Sequence, residues 1–320
     1  THSYHDSFVE EFGIFLELLN TYGYHFLQSC GRVCSWNEYD FGNAIIVKKS
    51  LVDQTAPAAN APPDANAPQA APAANAPDLP ILTPKNFKNK CFWEDIKIGN
   101  FKSYSTSPVK YCVDGKGEKE SRVMSSLKLN NGITILNTHL TEIAEIVETV
   151  KGDKKINIQP KMMEEMMDSV LPKPSFFQRL RPNYILCGDM NRMNFDHMPQ
   201  QINDTLSAYT KEIHELYETV GTWFEKEACD ELYKALDTKG FKKSIHLSAK
   251  DHDKYLPTHW TLGNIDTISF TDKLYIDGKN YGTHIPCIKG EKGKEGKEGE
   301  YCIISNHLGV YASITPTKPV

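Results

Sequence analysis

The sequence predicts an α/β or α+β protein whose core is built around β-sheet. Apolar runs of strand length, rich in Ile, Leu and Val, recur along the chain and often end in polar residues. Segments with helical spacing stand between them, without the regular strand–helix alternation of a purely parallel sheet. The chain has 320 residues, 40% hydrophobic and 24% charged, which is ordinary for a globular protein. This length suits two average domains or one large sandwich, and we predict a single domain over 1–320.

The first half of the chain carries one helix and several strands. Residues 6–20 place Phe and Leu side chains at helical spacing, and 42–51 (GNAIIVKKSL) are typical of a strand. Segment 55–80 consists of near-repeats of APAANAP, in which Pro denies both helix and sheet their hydrogen bonds. We predict a disordered or polyproline-like insert there. Three strand candidates follow within 96–140, and NNG at 130–132 indicates a tight hairpin.

The second half alternates between helices and strands. Residues 159–170 form a predicted helix whose Met stripe belongs in the core. PNYILCGD (182–189) is a predicted strand, and helices follow at 204–220 and 225–240, the second ended by Gly240. The remaining predicted strands are 264–271, 300–306 and 308–314.

Composition narrows the possible partners. The net charge of −5 argues against a protein that binds nucleic acid over its whole surface, but not against an enzyme with a local basic rim. No apolar run approaches the roughly 18 residues of a transmembrane helix. The eight cysteines show no zinc-binding spacing, and they leave the cellular compartment open.

Four strand-like blocks carry the residues that could do chemistry. They are ILNTHL (135–140), ILCGDMN (185–191), GNIDTISF (263–270) and ISNHLGV (304–310). Buried strands that end in polar residues build an active-site rim, and these blocks provide His139, Asp189, Asn191, Asp266 and His307. Two imidazoles, two carboxylates and an amide can together hold a divalent metal ion and a phosphate.

The order and wording of these blocks resemble the endonuclease/exonuclease/phosphatase superfamily of metal-dependent phosphoesterases. The resemblance covers about 120–312 strongly and 1–50 more loosely. It implies a four-layer sandwich, with two mixed sheets packed face to face and helices outside. It also implies a hydrolase that uses Mg²⁺ or Mn²⁺ and directs water in line at phosphorus.

The resemblance assigns a role to each candidate residue. Asp189 of the GD-x-N block handles a proton at the scissile phosphate, and Asn191 helps to hold the phosphate or its attacking water. Asp266 hydrogen-bonds His307 and fixes its tautomer, so that the other ring nitrogen faces phosphorus. His139 donates a hydrogen bond to a phosphoryl oxygen.

Three further residues are implied at the edge of the site. Arg122 matches the arginine that begins the corresponding strand in many members, and its forked guanidinium suits a pair of phosphate oxygens. The loop PTHWTLG (257–263) corresponds to one that lines the substrate cleft. Its His259 and Trp260 are suited to stacking on a base or a sugar.

The sequence departs from the family pattern in two places that concern the metal. The family's main metal ligand is a glutamate in a Gln-Glu pair, which the resemblance places just before Thr1. At Asn306 most members have an aspartate that also reaches the metal. An amide oxygen can coordinate an ion there, but it brings no negative charge. Activity of this chain is therefore a separate hypothesis from its family.

The leading hypothesis is a nuclease, with nucleic acid as the partner. A lipid or inositol-phosphate phosphoesterase uses the same blocks, and the acidic net charge favours it. A catalytically silent binding or scaffold domain of the same fold is a third hypothesis, which the absent glutamate and Asn306 support.

Overall fold

The computed structural model describes the parts of the chain to which every structural statement below refers. These are 13–30, 42–52, 101–106, 109–113, 116–120, 122–141, 145–147, 154–171, 183–194, 226–251, 254, 256–259, 263–284, 287–289, 301–303 and 307–316.

The described elements confirm an α/β protein. The strands are β1 (Tyr24–Cys30), β2 (Gly42–Lys48), β3 (Phe101–Ser105), β4 (Val109–Val113), β5 (Lys116–Glu120), β6 (Val123–Lys128), β7 (Ile133–His139), β8 (Glu145–Val147), β9 (Lys154–Ile156), β10 (Asn183–Asp189), β11 (Lys243–Ser244), β12 (Asp266–Phe270), β13 (Tyr275–His284), β14 (Cys287–Lys289), β15 (Tyr301–Ile303) and β16 (Gly309–Thr315). The helices are α1 (described over 13–21), α2 (Gln159–Val170), α3 (Lys226–Thr238) and α4 (Ile245–Lys250), with a 3₁₀ turn at Lys49–Leu51.

A six-stranded mixed sheet forms the centre of the molecule. Its strand order is β11-β12-β10-β7-β6-β3. β7 and β10 run parallel, whereas every other neighbouring pair in this sheet is antiparallel. The parallel pair is central in the sheet, and the carboxyl ends of its two strands lie at the same end of the sheet. Because β12 is antiparallel to β10, the first residues of β12 lie at that end too.

The predicted NNG hairpin is confirmed between β6 and β7. Gly132 has φ +82°, a left-handed conformation that glycine adopts without steric cost. The turn is closed by the amide of Leu129, which donates to the carbonyl of Ile133 at 2.8 Å. The side chain of Asn131 accepts a second bond from the Ile133 amide at 3.1 Å.

Helices α2 and α3 cover one face of the central sheet. The four methionines of α2 are at most 4% exposed, and they pack against sheet residues such as Leu136 and Leu186 and against Leu232 of α3. The prediction that this Met stripe belongs to the core is confirmed. Gly240, with φ +97°, follows α3 as predicted.

The opposite face of the central sheet is covered by strands. Leu27 of β1 and Val47 of β2 pack against Leu127 of β6. Further along the sheet, Ile276 of β13 and Ile314 of β16 pack against Phe270 and its neighbours in the central strands.

Helix α1 adds an outer layer beyond β1 and β2. Phe26 directly precedes Leu27 in β1, so its ring lies on the side of the strand that faces away from the central sheet. It contacts Phe15 of α1 edge to face, with ring centroids 6.2 Å apart. The order helices, central sheet, strand layer, helix confirms the predicted four-layer sandwich.

Some elements differ from the prediction. The strand expected over 42–51 ends at Lys48 and passes into the 3₁₀ turn, because the carbonyl of Leu51 bonds the amide of Asn130 at the β6–β7 hairpin (2.8 Å). β13 was not predicted, since its sequence YIDGKNYGTH is mostly polar and several of its side chains are exposed. Pairing with β16 provides its hydrogen bonds regardless of side-chain pattern.

Several predicted segments lie outside the described residues, including the 55–80 insert, the helix at 204–220 and the start of the first helix. The single domain over 1–320 stays a prediction. Among the helices described, none has the length and apolar content needed to span a bilayer.

Candidate active site

Sheet register places three predicted residues in one row. In the parallel pair, His139 at the end of β7 lies opposite Asp189 at the end of β10. In the antiparallel pair, Asp189 lies opposite Asp266 at the start of β12. An isolated β-bridge between His259 and His307 brings the fourth block to the same edge. The structure therefore gathers four of the five block residues at one sheet edge, with Asn191 in the turn just after Asp189.

The carboxylate of Asp189 lies between two imidazoles. Its Oδ2 is 3.5 Å from Nε2 of His139 and 3.8 Å from Nε2 of His307. On the far side of the second ring, Nδ1 of His307 is 2.9 Å from Oδ2 of Asp266. Since an ionised carboxylate only accepts hydrogen bonds, Nδ1 carries the proton, and Nε2 faces Asp189.

His139 is held as a neutral imidazole. Burial, the positive charge of Arg122 and the neighbouring His307 together lower the pKa of His139 to about 3. A neutral ring at pH 7 can donate one hydrogen bond without bringing a second positive charge to the site.

The ring of His259 supports the ring of His307. The two imidazoles meet edge to face with centroids 4.9 Å apart, and His259 is only 3% exposed. Burial and the nearby His307 lower the pKa of His259 to about 4, although the carboxylate of Asp266 opposes this shift. In the structure the ring of His259 packs against the ring of His307. The predicted contact of His259 with substrate stays a prediction.

The local sequence GDMN creates its own turn. A Cβ at Gly188 would lie 1.8 Å from the carbonyl oxygen of Thr138, so no larger residue fits against β7. Asp189 Oδ1 accepts the amide of Asn191 at 2.8 Å. Asn191 adopts φ 49°, which Asn tolerates better than most residues, and its Nδ2 donates to the carbonyl of Leu140 at 2.7 Å. The side chain of Asn191 is thus engaged within the turn, and its contact with phosphate stays a prediction.

Thr258 was missed by the sequence reasoning. This fully buried residue accepts the amide of Asp266 with its hydroxyl at 2.9 Å. Its carbonyl accepts the amide of Leu308, the residue after His307, at 2.7 Å. One threonine therefore fixes the backbone at both partners of the Asp266–His307 pair. Its position beside His259 was visible in the sequence, but nothing local predicts these contacts.

Asn264 links two of the predicted blocks. Its Oδ1 accepts the amide of Asn194 at 3.1 Å, and its Nδ2 donates to the carbonyl of Asn194 at 3.3 Å. The next residue, Ile265, accepts the amide of Met190 at 2.9 Å. These contacts join the chain after Asp189 to the chain before Asp266.

The remaining predicted residues are placed less directly. Arg122 is 6% exposed and pairs by its backbone with Thr106, and its charge acts on His139. Its contact with a phosphate stays a prediction. Trp260 and Asn306 lie outside the described residues.

Asp189, Asp266 and His307 could hold a metal ion. One ligand atom from each lies within 4.8 Å of the others. The 3.8 Å between Asp189 Oδ2 and His307 Nε2 suits two ligands of one ion at bond lengths of roughly 2.1 Å. Asp266 also fixes the ring of His307 through the 2.9 Å contact with Nδ1, so Nε2 is the nitrogen that could ligate an ion, and only when it carries no proton. The donor set therefore fits a small divalent cation.

Comparison with known proteins gives structural likeness only. No protein-family model matches the chain, and no curated protein matches it significantly. The catalytic domain of human Nocturnin, solved with a bound sulfate anion, is similar with a TM-score of 0.40 and 12% identity, over 94% of this chain and 75% of that chain.

Two bacterial structures are also similar. A mannosyl-6-phosphatase from Bacteroides thetaiotaomicron VPI-5482 aligns with a TM-score of 0.33 and 12% identity, over 68% of this chain and 67% of that chain. An endonuclease/exonuclease/phosphatase family protein from Bacteroides thetaiotaomicron aligns with a TM-score of 0.32 and 12% identity, over 67% and 66% respectively. At these TM-scores the likeness is loose, and it assigns no function.

Proposed function

We propose that this chain is a metal-dependent phosphodiester hydrolase of the endonuclease/exonuclease/phosphatase superfamily that cleaves nucleic acid. One observation carries the proposal: the carboxylate of Asp189 lies between His139 and His307, at 3.5 Å and 3.8 Å, and Asp266 orients His307 at 2.9 Å. Acidic and basic groups that meet at one rim are what phosphoryl transfer to water requires.

Asp189 and His307 are suited to moving protons. In this mechanism Asp189 accepts the proton of the attacking water as oxygen bonds to phosphorus. His307, in its doubly protonated form, gives the Nε2 proton to the leaving oxygen as the phosphorus–oxygen bond breaks. Asp266 offsets the positive charge of that ring and prevents it from rotating.

The neighbouring groups stabilise charge on the phosphoryl oxygens. His139, held neutral by a pKa of about 3, donates a hydrogen bond to one of these oxygens. The positive charge of Arg122, which is close enough to lower that pKa, adds a longer-range attraction for the phosphate. Asn191 keeps the turn that carries Asp189 in place and is proposed to contact the phosphate.

Asp189 and Asp266 would hold the ion, which we propose to be Mg²⁺ or Mn²⁺, while Nε2 of His307 keeps its proton for the leaving oxygen. When bound, the ion polarises a phosphoryl oxygen as a Lewis acid. Carboxylate oxygens suit both of these ions.

The test is nicking of supercoiled plasmid in Mg²⁺ and in Mn²⁺. We expect nicking by the unaltered chain, its loss in Asp189→Asn, and its retention in Asp277→Asn, which changes an exposed carboxylate of β13 in the same way. Nicking that survives in Asp189→Asn would contradict the proposed site.

A second candidate keeps the chemistry and changes the substrate to a lipid or inositol phosphate. The net charge of −5 favours it, because an acidic surface repels a polyanion. Release of inorganic phosphate from an inositol phosphate, or of phosphocholine from sphingomyelin vesicles, without plasmid nicking would favour this candidate over the nuclease.

A further inference from the structure

Two fully buried polar side chains lie directly beneath the site. Gln159 is the first residue of α2, and Arg192 follows the GDMN turn; both are 0% exposed. Their amide and guanidinium groups meet, with Arg192 Nε donating to Gln159 Oε1 at 2.6 Å. Burying such groups is costly unless they make specific hydrogen bonds, so their contacts point to a role.

The side chain of Gln159 binds the chain just after the ends of β7 and β10. Its Nε2 donates to the carbonyl of Thr141 at 2.5 Å and to that of Met190 at 3.4 Å. Thr141 stands two residues after His139, and Met190 directly follows Asp189. The amide of one side chain therefore joins the ends of β7 and β10.

Chemistry leaves this amide a single orientation. A carbonyl oxygen can only accept a hydrogen bond, and a guanidinium can only donate one. The Oε1 of Gln159 must therefore face Arg192, and its Nε2 must face the two carbonyls. Arg192 thus determines which way the amide of Gln159 points.

Helix α2 gives this contact a rigid base. Its methionines are buried in the core between the sheet and α3. The backbone amide of Gln159 donates to Oδ1 of Asn157 at 3.3 Å. Beyond the last ladder positions, β7 and β10 remain joined by the Leu140 amide, which donates to the Asp189 carbonyl at 2.9 Å. The contacts of Gln159 with Thr141 and Met190 fix the distance between the two chain segments just after this bond.

We propose that Gln159 and Arg192 are positioning residues that set the separation between His139 and Asp189. This inference rests on the proposed function for its kinetic consequence, but its structural consequence stands independently. Displacing groups at a reacting centre by a fraction of an ångström to one ångström lowers the rate about 10-fold to 100-fold.

The variant that tests it is Gln159→Glu. The glutamate keeps an acceptor for Arg192, but it replaces the donor to the two carbonyls with a repelling oxygen. Glu164→Gln, on an exposed position of the same helix, is the matched control. Gln159→Asn, which keeps the amide but shortens its reach, serves as a second variant where the glutamate fails to fold.

Two measurements separate the inference from the proposed function. In plasmid nicking, we expect kcat to fall about 10-fold to 100-fold in Gln159→Glu with KM nearly unchanged, and no change in Glu164→Gln. In long-range ¹⁵N–¹H spectra of the histidine rings, we expect the His139 signals to move while those of His246, buried beneath Asp266, stay fixed.

The two measurements together distinguish the positioning role from the proposed function. Moved His139 signals, together with an unaltered chain that hydrolyses no phosphate ester, would support the positioning role of Gln159 and overturn the proposed function. Unchanged His139 signals and an unchanged kcat in a folded Gln159→Glu variant would overturn the positioning role and leave the proposed function standing.

Discussion

His307 and Asp266 form a hydrogen-bonded pair, with Nδ1 and Oδ2 2.9 Å apart, although 41 residues separate them in the sequence. The pair gives the two carboxylates of the site different surroundings. Asp266 is bound to an imidazole, whereas Asp189 Oδ2 faces two ring nitrogens at longer range. One carboxylate thus orients a ring, and the other is placed to react.

Replacing Asp266 with asparagine should abolish most activity without unfolding the protein. The amide has the same shape, but it lacks the charge that offsets a protonated His307, and it can stabilise the wrong tautomer. By analogy with other histidine–carboxylate pairs, we expect kcat to fall by about 10² to 10⁴. Plasmid nicking and thermal unfolding of the same preparation measure this; an active Asp266→Asn variant would show that the pair is structural.

Thr258→Val should lower stability, because it removes the fully buried hydroxyl that accepts the amide of Asp266 at 2.9 Å. The cost of an unmet buried donor is about 1–3 kcal/mol. Urea unfolding provides the free energy of unfolding, and Thr258→Ser, which keeps the hydroxyl, is the control. A Thr258→Val variant as stable as the unaltered chain would show that the hydroxyl does not contribute to stability.

Gly188→Ala should be severely destabilising. The residue has φ 148°, and a Cβ there would stand 1.8 Å from the Thr138 carbonyl oxygen, which requires the two parallel strands to separate. We expect a loss of about 3 kcal/mol or more in the free energy of unfolding. Gly278→Ala is the matched control, since φ is +60° there and nothing lies within 4 Å of an added Cβ; it should cost about 1–2 kcal/mol.

Acid should destabilise the protein through His139. The pKa of His139 is about 3 in the folded chain, against an ordinary value of 6.5 when unfolded. Below pH 6.5 His139 is protonated in the unfolded state but not in the folded state, so the free energy of unfolding falls as the pH drops towards 3. The loss from this residue is at most about 1.4 kcal/mol per pH unit. Urea unfolding between pH 7 and pH 4 in a chelator should show a shallower decline in His139→Gln; an identical decline would mean that the ring titrates normally.

A divalent ion should stabilise the chain if it enters the site. Titration calorimetry with Mn²⁺ should show one saturable site, and the melting temperature should rise with ion concentration. Both effects should vanish in Asp189→Asn and persist in the exposed variant Asp168→Asn. A catalytically silent scaffold domain, in contrast, should show no specific binding.

Local features of the sequence predicted many of the elements correctly. The Met stripe of 159–170 and the NNG turn at 130–132 depend on neighbours within a few residues, so spacing and turn chemistry reveal them. The elements missed, such as β13, are stabilised by pairing with a distant strand, and their own side chains show little pattern.

The sequence by itself determined which residues could do chemistry, because His139, Asp189, Asn191, Asp266 and His307 end or begin apolar runs that must be buried. Only the tertiary structure decided how they meet. Sheet order sets His139, Asp189 and Asp266 in one row. The supports of that row, at Thr258, Gln159 and Arg192, are hydrogen bonds to backbone and side-chain atoms of other segments. Such bonds depend on which strands and helices become neighbours in the fold, and a local pattern of residues does not specify those neighbours.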